Sequence, residues 1–237
     1  MEGYIKFYAS VTKQTSVELQ KEVGKMLQKG ITKLHLLLST PGGSVYDGIS
    51  LYNYLKGIGI EVNTYNFGCV DSIGVVVFCA GTNRYSTPHA RFLLHPITMR
   101  VMANTTFDEH LLLEKSNSLR AAHTNIINII SSTINKSEGE TKKLINTRTS
   151  LESKKAKEKG LVTDIKSNIF PLGVELISIY DPPTQQGVQP MSAECYPPPI
   201  ESVPQSDLTS YPTQCECLPL LIESYPMTTL ISCPPQY

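Results

Sequence analysis

The feature that most constrains this chain is the stretch KLHLLLST-PGGS, residues 33–44. Four leucines in five positions leave no polar alternation, as expected of a strand buried on both faces. Two glycines then break it, and VYDGISLYNYLKGI (45–58) follows with helical periodicity. A doubly covered strand that hands over to a helix across a tight glycine turn belongs in a layered α/β domain with a largely parallel sheet.

The rest of residues 1–166 repeats that alternation. YIKFY (4–8) reads as a short strand. TSVELQKEVGKMLQKG (15–30) places Val17, Leu19, Val23, Met26 and Leu27 at helical spacing, with Gly30 as its stop. IEVNTYNFG (60–68) is the next strand. SIGVVVFCAG (72–81) is either a strand or a buried helix, and periodicity does not decide between them. RYSTPHARFLLH (84–95) reads as a strand reached through a proline turn. The longest helical pattern runs over 105–134, with Asn104 or Thr105 as its N-cap. Two shorter helices (137–146 and 151–160) and a strand, LVTDI (161–165), close the segment.

Composition changes at Ser167. Thirteen of the 16 prolines fall in 167–237, so this tail is expected to be disordered or polyproline-like, although LLIESYPMTTLI (220–231) is apolar enough to dock. The domains expected are therefore 1–166 and 167–237. All 21 Lys and Arg lie in the first, against 14 acids, a balance of +7. The tail carries seven acids and no base. The zero total gives no reason to expect nucleic acid or an anionic membrane as a partner. No stretch approaches the roughly 18 apolar residues of a membrane span, and the N-terminus lacks an apolar signal core, so a cytoplasmic protein is expected. The six cysteines are then thiols. Cys69 and Cys79 read as buried hydrophobes, and Cys195, Cys215, Cys217 and Cys233 form no CxxC pair, so no metal site is expected.

Three positions carry candidate chemistry, and each has a bland alternative. The glycines of STPGGSV either make a tight turn or let a carbonyl approach backbone amides. Ser72, at the mouth of the apolar run after Asp71, is either a helix N-cap or a nucleophile held by a rigid core. His95, ending RFLLH before Pro96, is either a satisfied core histidine or a general base. His35, His89, His110 and His123 lack that setting.

The order and spacing of STPGGSVYDGISLYNYL, VNTYNFGCVDSIGVVVFCAG, HARFLLHP and KEKGLVTDI resemble the proteolytic subunit of the Clp protease, the ClpP family, over about residues 4–166. The resemblance implies a ClpP/crotonase-type α/β fold of repeated strand-strand-helix units. It implies a serine endopeptidase with Ser72 as nucleophile, His95 as base and the Gly43 and Ile73 amides as oxyanion hole, working without a cofactor on peptides or unfolded protein. The long helix resembles the handle by which family rings stack, so a homo-oligomeric ring is expected. The family's ATPase partner meets a further N-terminal segment. This chain begins close to its first strand, which counts against such pairing.

The sequence departs from the family at the third triad member. Arg148 stands where the family has an Asp, and no carboxylate lies between Glu140 and Glu152. Asn146 is the nearest side chain able to accept an imidazole N–H. The alternative to an active peptidase is a silent ring subunit acting as scaffold or regulator. A crotonase-like acyl-CoA enzyme shares the fold, but Ser and His at their matching positions favour the peptidase. Asp71 replaces a small residue of the family and either solvates the site edge or raises the imidazole pKa.

Overall fold

The computed structural model describes residues 1–99 and 106–183. Among these, eight strands form one sheet in the order β6-β5-β3-β2-β1-β8, with β4 beside β3 and β7 beside β4. β1 (Glu2–Tyr8), β2 (Lys33–Thr40) and β3 (Glu61–Asp71) run parallel at its centre. β2 fills the expected interval: seven of its eight residues are buried. Leu34, Leu36 and Leu38 face the main core, while Leu37 packs with Tyr4 and Tyr65 on the other face. This is the two-sided burial that its unbroken apolar run requires.

Helix α1 (Lys13–Gln28) starts one turn earlier than its apolar periodicity suggests. Thr12 and Thr15 form a reciprocal capping box there. Its buried face comprises Thr15, Ser16, Leu19, Val23 and Met26, and Val17 points to solvent. Helix α2 (Val45–Gly57) follows the glycine turn, capped by Ser44.

The ambiguous run after Asp71 resolves as a helix, α3 (Ile73–Phe78), all six of whose residues are buried. β3 is already a strand up to Asp71, so α3 is the return stroke that lets the chain re-enter the sheet. The single strand expected over 84–95 is two, β4 (Asn83–Ser86) and β5 (Arg91–Leu93), separated at the Thr87–Pro88 turn. Both pair in parallel with β3, β4 along Asn63–Asn66 and β5 along Cys69–Asp71. The sheet therefore forks along one long strand.

Helix α4 (Glu109–Ile134) begins later than expected. Its cap is Asp108, whose carboxylate accepts the Leu111 amide at 2.8 Å. The cap expected at Asn104 or Thr105 lies outside the described residues. Helix α5 (Glu138–Asn146) has its own capping box at Ser137 and Glu140. The segment expected as one helix over 151–160 divides into β6 (Ser150–Glu152) and α6 (Ser153–Glu158). β6 pairs antiparallel with β5 and holds its far side. β7 (Asp164–Ile165) pairs with β4.

One strand was not legible in the pattern. β8 (Leu176–Tyr180) lies in the proline-rich region and pairs in parallel with the outer edge of β1, burying Ile179 completely. The boundary expected at 166 is too early for the sheet, which continues to Tyr180. Composition announced a tail, but five alternating residues covering an open strand edge suffice for a strand. The expected disorder of 184–237, the docking of 220–231 and the four tail cysteines lie outside the described residues. Among the described residues no helix is long and apolar enough to cross a membrane.

Candidate active site

The parallel strands β2, β3 and β5 end together at one edge of the sheet, and each delivers one candidate group. After β2 the chain turns through Pro41, Gly42 and Gly43. The Val11 amide donates to the Gly42 carbonyl at 2.7 Å, and the Ser44 amide donates to the Val11 carbonyl at 2.7 Å. This bridge turns the intervening Gly43 N–H away from Val11. Gly43 has φ 145°, and a Cβ there would overlap the Val11 carbonyl oxygen. Gly42 has φ 90°, and a Cβ there would lie 2.7 Å from that of Ser72. Both glycines are thus imposed by the left-handed backbone and by the close approach of the two loops.

Ser72 is the junction of β3 and α3. It occupies the cap position, but its hydroxyl makes no capping hydrogen bond. Its backbone has φ 57° and ψ −127°, a conformation that a non-glycine residue adopts only when its surroundings impose it. The surroundings here are explicit. The Ser72 amide donates to the Leu93 carbonyl at 2.7 Å, and the Val75 amide donates to the Ser72 carbonyl at 3.1 Å. The wholly buried α3 follows. The N-cap alternative fails on geometry, because the hydroxyl is not used by the helix.

His95 lies two residues past β5. Its Nδ1 is 2.8 Å from the Pro96 carbonyl oxygen. A carbonyl only accepts, so Nδ1 carries the proton in the neutral ring and Nε2 keeps its lone pair. No hydrogen bond joins Ser72 Oγ to His95 among the described residues.

Ser72, Ile73, Gly43 and His95 line one cavity of about 240 Å³, closed by Leu94, Ile97, His123, Ile126, Ile130 and Ile145. Helices α4 and α5 supply its apolar roof. His123, which the sequence offers only as a residue of the long helix, lines this cavity, and its buried Nε2 has no partner among the described residues. Only the long-range docking of α4 over the strand ends brings it there, so no local pattern could have found it.

Asn146 is not brought to this cavity. It is the last residue of α5 and is exposed, while its neighbour Ile145 points inward. Helical rotation of about 100° per residue separates the two. Arg148, where the family has its acid, is exposed with φ 50° in the turn after α5. The next residue, Thr149, accepts the Leu94 amide at 2.9 Å through its carbonyl, tying this turn to the strand end before His95. Among the described residues no three His, Cys, Asp or Glu side chains gather as a metal would need.

Asp71 is 92 % shielded from solvent, at 8 % exposure. Its Oδ2 accepts from Arg91 Nη2 at 2.9 Å, and its Oδ1 is buried without a partner. Burial pushes its carboxyl above the usual range, opposed chiefly by the Arg91 guanidinium and also by the Leu93 backbone amide.

Comparison with known proteins bears on the family and the fold. The family model described as Clp protease matches residues 1–168. Among curated proteins, the ATP-dependent Clp protease proteolytic subunit 2 of Chlamydia trachomatis serovar D is 34% identical over 64 residues, 26% of this chain and 32% of that protein. The ATP-dependent Clp protease proteolytic subunit of Bdellovibrio bacteriovorus is 38% identical over 64 residues, 26% of this chain and 30% of that protein. The matched stretch thus spans about a third of each relative's length. Among solved structures, a ClpP1 mutant from Listeria monocytogenes superposes with a TM-score of 0.62 at 20% identity. The match covers 70% of this chain and 91% of that one, and at this identity it speaks for the fold.

Proposed function

The chain belongs to the Clp protease family, and from that premise we propose that it is a serine endopeptidase with Ser72 as nucleophile and His95 as general base. The observation that carries this reading is the Ser72 backbone. A strained φ of 57° and an uncapped hydroxyl have no structural use, and they present Oγ to the cavity that His95 also lines.

The steps follow from the groups present. Ser72 Oγ attacks the scissile carbonyl as His95 Nε2 takes its proton. The Gly43 and Ile73 amides receive the oxyanion. The imidazolium gives its proton to the leaving amine, and water then releases the acyl group by the reverse sequence. The Pro96 carbonyl takes over one task of the missing acid. It fixes the tautomer, whose loss is the costly part of removing the acid in a Ser-His-Asp site, about 10⁴ in kcat. It brings no full charge, so a slow enzyme is expected.

The substrates proposed are peptides or unfolded protein segments, and the assembly proposed is a homo-oligomeric ring. Hydrolysis of a pooled library of fluorogenic peptides by the purified chain tests the reading, with Ser72→Ala and His95→Gln as controls and light scattering to establish assembly. Hydrolysis that both substitutions abolish supports it. An assembled protein with no turnover favours the silent ring subunit.

A further inference from the structure

The cavity that holds Ser72 and His95 is lined by a further polar ring that the proposed chemistry does not use. Its helical wall comes from α4, where His123, Ile126 and Ile130 lie three and four residues apart, the spacing of a single helix face. Leu94, Ile97 and Ile145 continue the aliphatic lining from other elements. On its own helix face His123 is the polar member of an otherwise apolar stripe. Its Nε2 is buried without a partner, and no hydrogen bond of its ring occurs among the described residues. A polar atom left in that state is costly, and a group that enters the cavity and bonds it recovers the cost.

We propose that His123 is a specificity-determining residue of this site, which recognises a hydroxyl at the end of an aromatic substrate side chain. The side chain is that of the residue whose carbonyl Ser72 attacks, since nucleophile and recess share one cavity. The aliphatic lining favours an apolar body. A dry cavity of about 150 Å³ holds a benzene ring. This one, at about 240 Å³, has room for a phenol. A neutral imidazole nitrogen either donates or accepts, and a phenol hydroxyl does both, so either tautomer of His123 finds its complement there. No hydrogen bond holds the ring. A half-turn about Cβ–Cγ, which exchanges Nε2 with Cε1, therefore breaks nothing and turns a nitrogen to the substrate. A purely apolar side chain fills the same space and leaves the nitrogen unpaired. Tyrosine joins the body and the end that this lining asks for.

This inference deepens the peptidase reading and rests on it for its catalytic meaning, but recognition by the cavity is measurable without turnover. The test uses fluorogenic peptide amides identical except for Tyr or Phe at the residue whose carbonyl is attacked. The full chain is expected to favour the Tyr peptide by about tenfold in kcat/KM. His123→Leu, close in size and without the orphaned nitrogen, raises kcat/KM on the Phe peptide and brings the ratio to about one. Its melting temperature holds or rises, because an unpaired buried polar atom is gone. A ratio near one in the wild type, or an unchanged ratio in folded His123→Leu, overturns the proposal. Should that variant not fold, ¹⁵N-labelled imidazoles in full-length Ser72→Ala report the contact without cleavage. The His123 Nε2 resonance, assigned by its loss in His123→Gln, moves with the Tyr peptide and stays in place with the Phe peptide. A wild type that hydrolyses neither peptide, with Nε2 answering to Tyr alone, removes the peptidase reading and sustains this one. Equal hydrolysis of both, with Nε2 unmoved, removes this one alone. Neither hydrolysis nor any change at Nε2 overturns both.

Discussion

His35 and His95 sit at two different places on the same sheet, and their surroundings differ in the way expected to separate a structural histidine from a chemical one. His35 lies inside β2. Its Nδ1 is 2.8 Å from the Tyr65 hydroxyl and its Nε2 is 3.3 Å from the Glu2 carboxylate. Tyr4 stacks on its ring at a centroid distance of 4.4 Å. Nδ1 is hydrogen-bonded and one ring face is stacked, while Nε2 is buried beside the carboxylate without a hydrogen bond of its own. His95 lies beyond a strand end. One nitrogen is fixed by a backbone carbonyl, the other has no hydrogen bond among the described residues, and the ring borders a cavity with a strained serine. Burial alone does not mark a reactive histidine. What sets His95 apart is the cavity it borders and the strained serine that shares it.

That contrast can be broken by exchanging the two tests. His95→Gln should cost about 10³ or more in kcat while leaving the melting temperature within a few degrees. His35→Gln should do the reverse, lowering the melting temperature and leaving hydrolysis intact. If His35→Gln abolishes hydrolysis in a folded protein, the assignment of roles fails.

The next effect concerns the loop that brings Gly43 to the cavity. Gly43→Ala meets the Val11 carbonyl at a backbone φ of 145° and should destabilise by about 3 kcal/mol. Gly57→Ala, where a Cβ meets nothing within 4 Å, is the control and should change chemical denaturation by less than about 1 kcal/mol.

A smaller effect follows from pH. Burial holds the His35 imidazole below its usual range, opposed by the Glu2 charge. The folded state therefore binds fewer protons there than the unfolded chain. Stability from this residue is full above the unfolded value of about 6.5 and is lost as pH falls through the lower folded value. His35→Gln should flatten the fall in melting temperature below about pH 6.5. An equally steep fall in the variant would assign it to other groups.

The smallest effect separates the two cysteines among the described residues. Burial pushes the Cys79 thiol up to about 11. At pH 8 roughly a thousandth of it is thiolate, so iodoacetamide should leave it unmodified in the native protein. Cys69 is half-buried and should be alkylated first, as peptide mapping would show. Rapid labelling of Cys79 would mean that the α3 core opens far more often than its burial implies.

The legible part of the molecule was the part in which local pattern and tertiary role agree. β2 could be bounded to the residue, because an apolar run ending in Pro-Gly-Gly has one reading. α3 could not, since a wholly buried helix has no polar face to reveal its period. β8 was hidden by its prolines and is a strand only because β1 offers an edge. At the site, Ser72, His95, Gly43 and Ile73 gather at one cavity, as their order in the chain suggested. Asn146 did not join them, because counting along the chain ignores which way a helix turns its last residue. His123 was visible as a letter, but its place at the cavity depends on where α4 docks.

Whether Ser72 is a nucleophile or a helix cap decides the proposed activity. A fluorophosphonate probe applied to the assembled full-length chain tests it most directly, with Ser72→Ala as the control. Covalent labelling of one serine per chain is expected, mapped to Ser72 and absent from the Ala variant. An assembled, folded wild type that takes no label, or one labelled equally with and without Ser72, would contradict it.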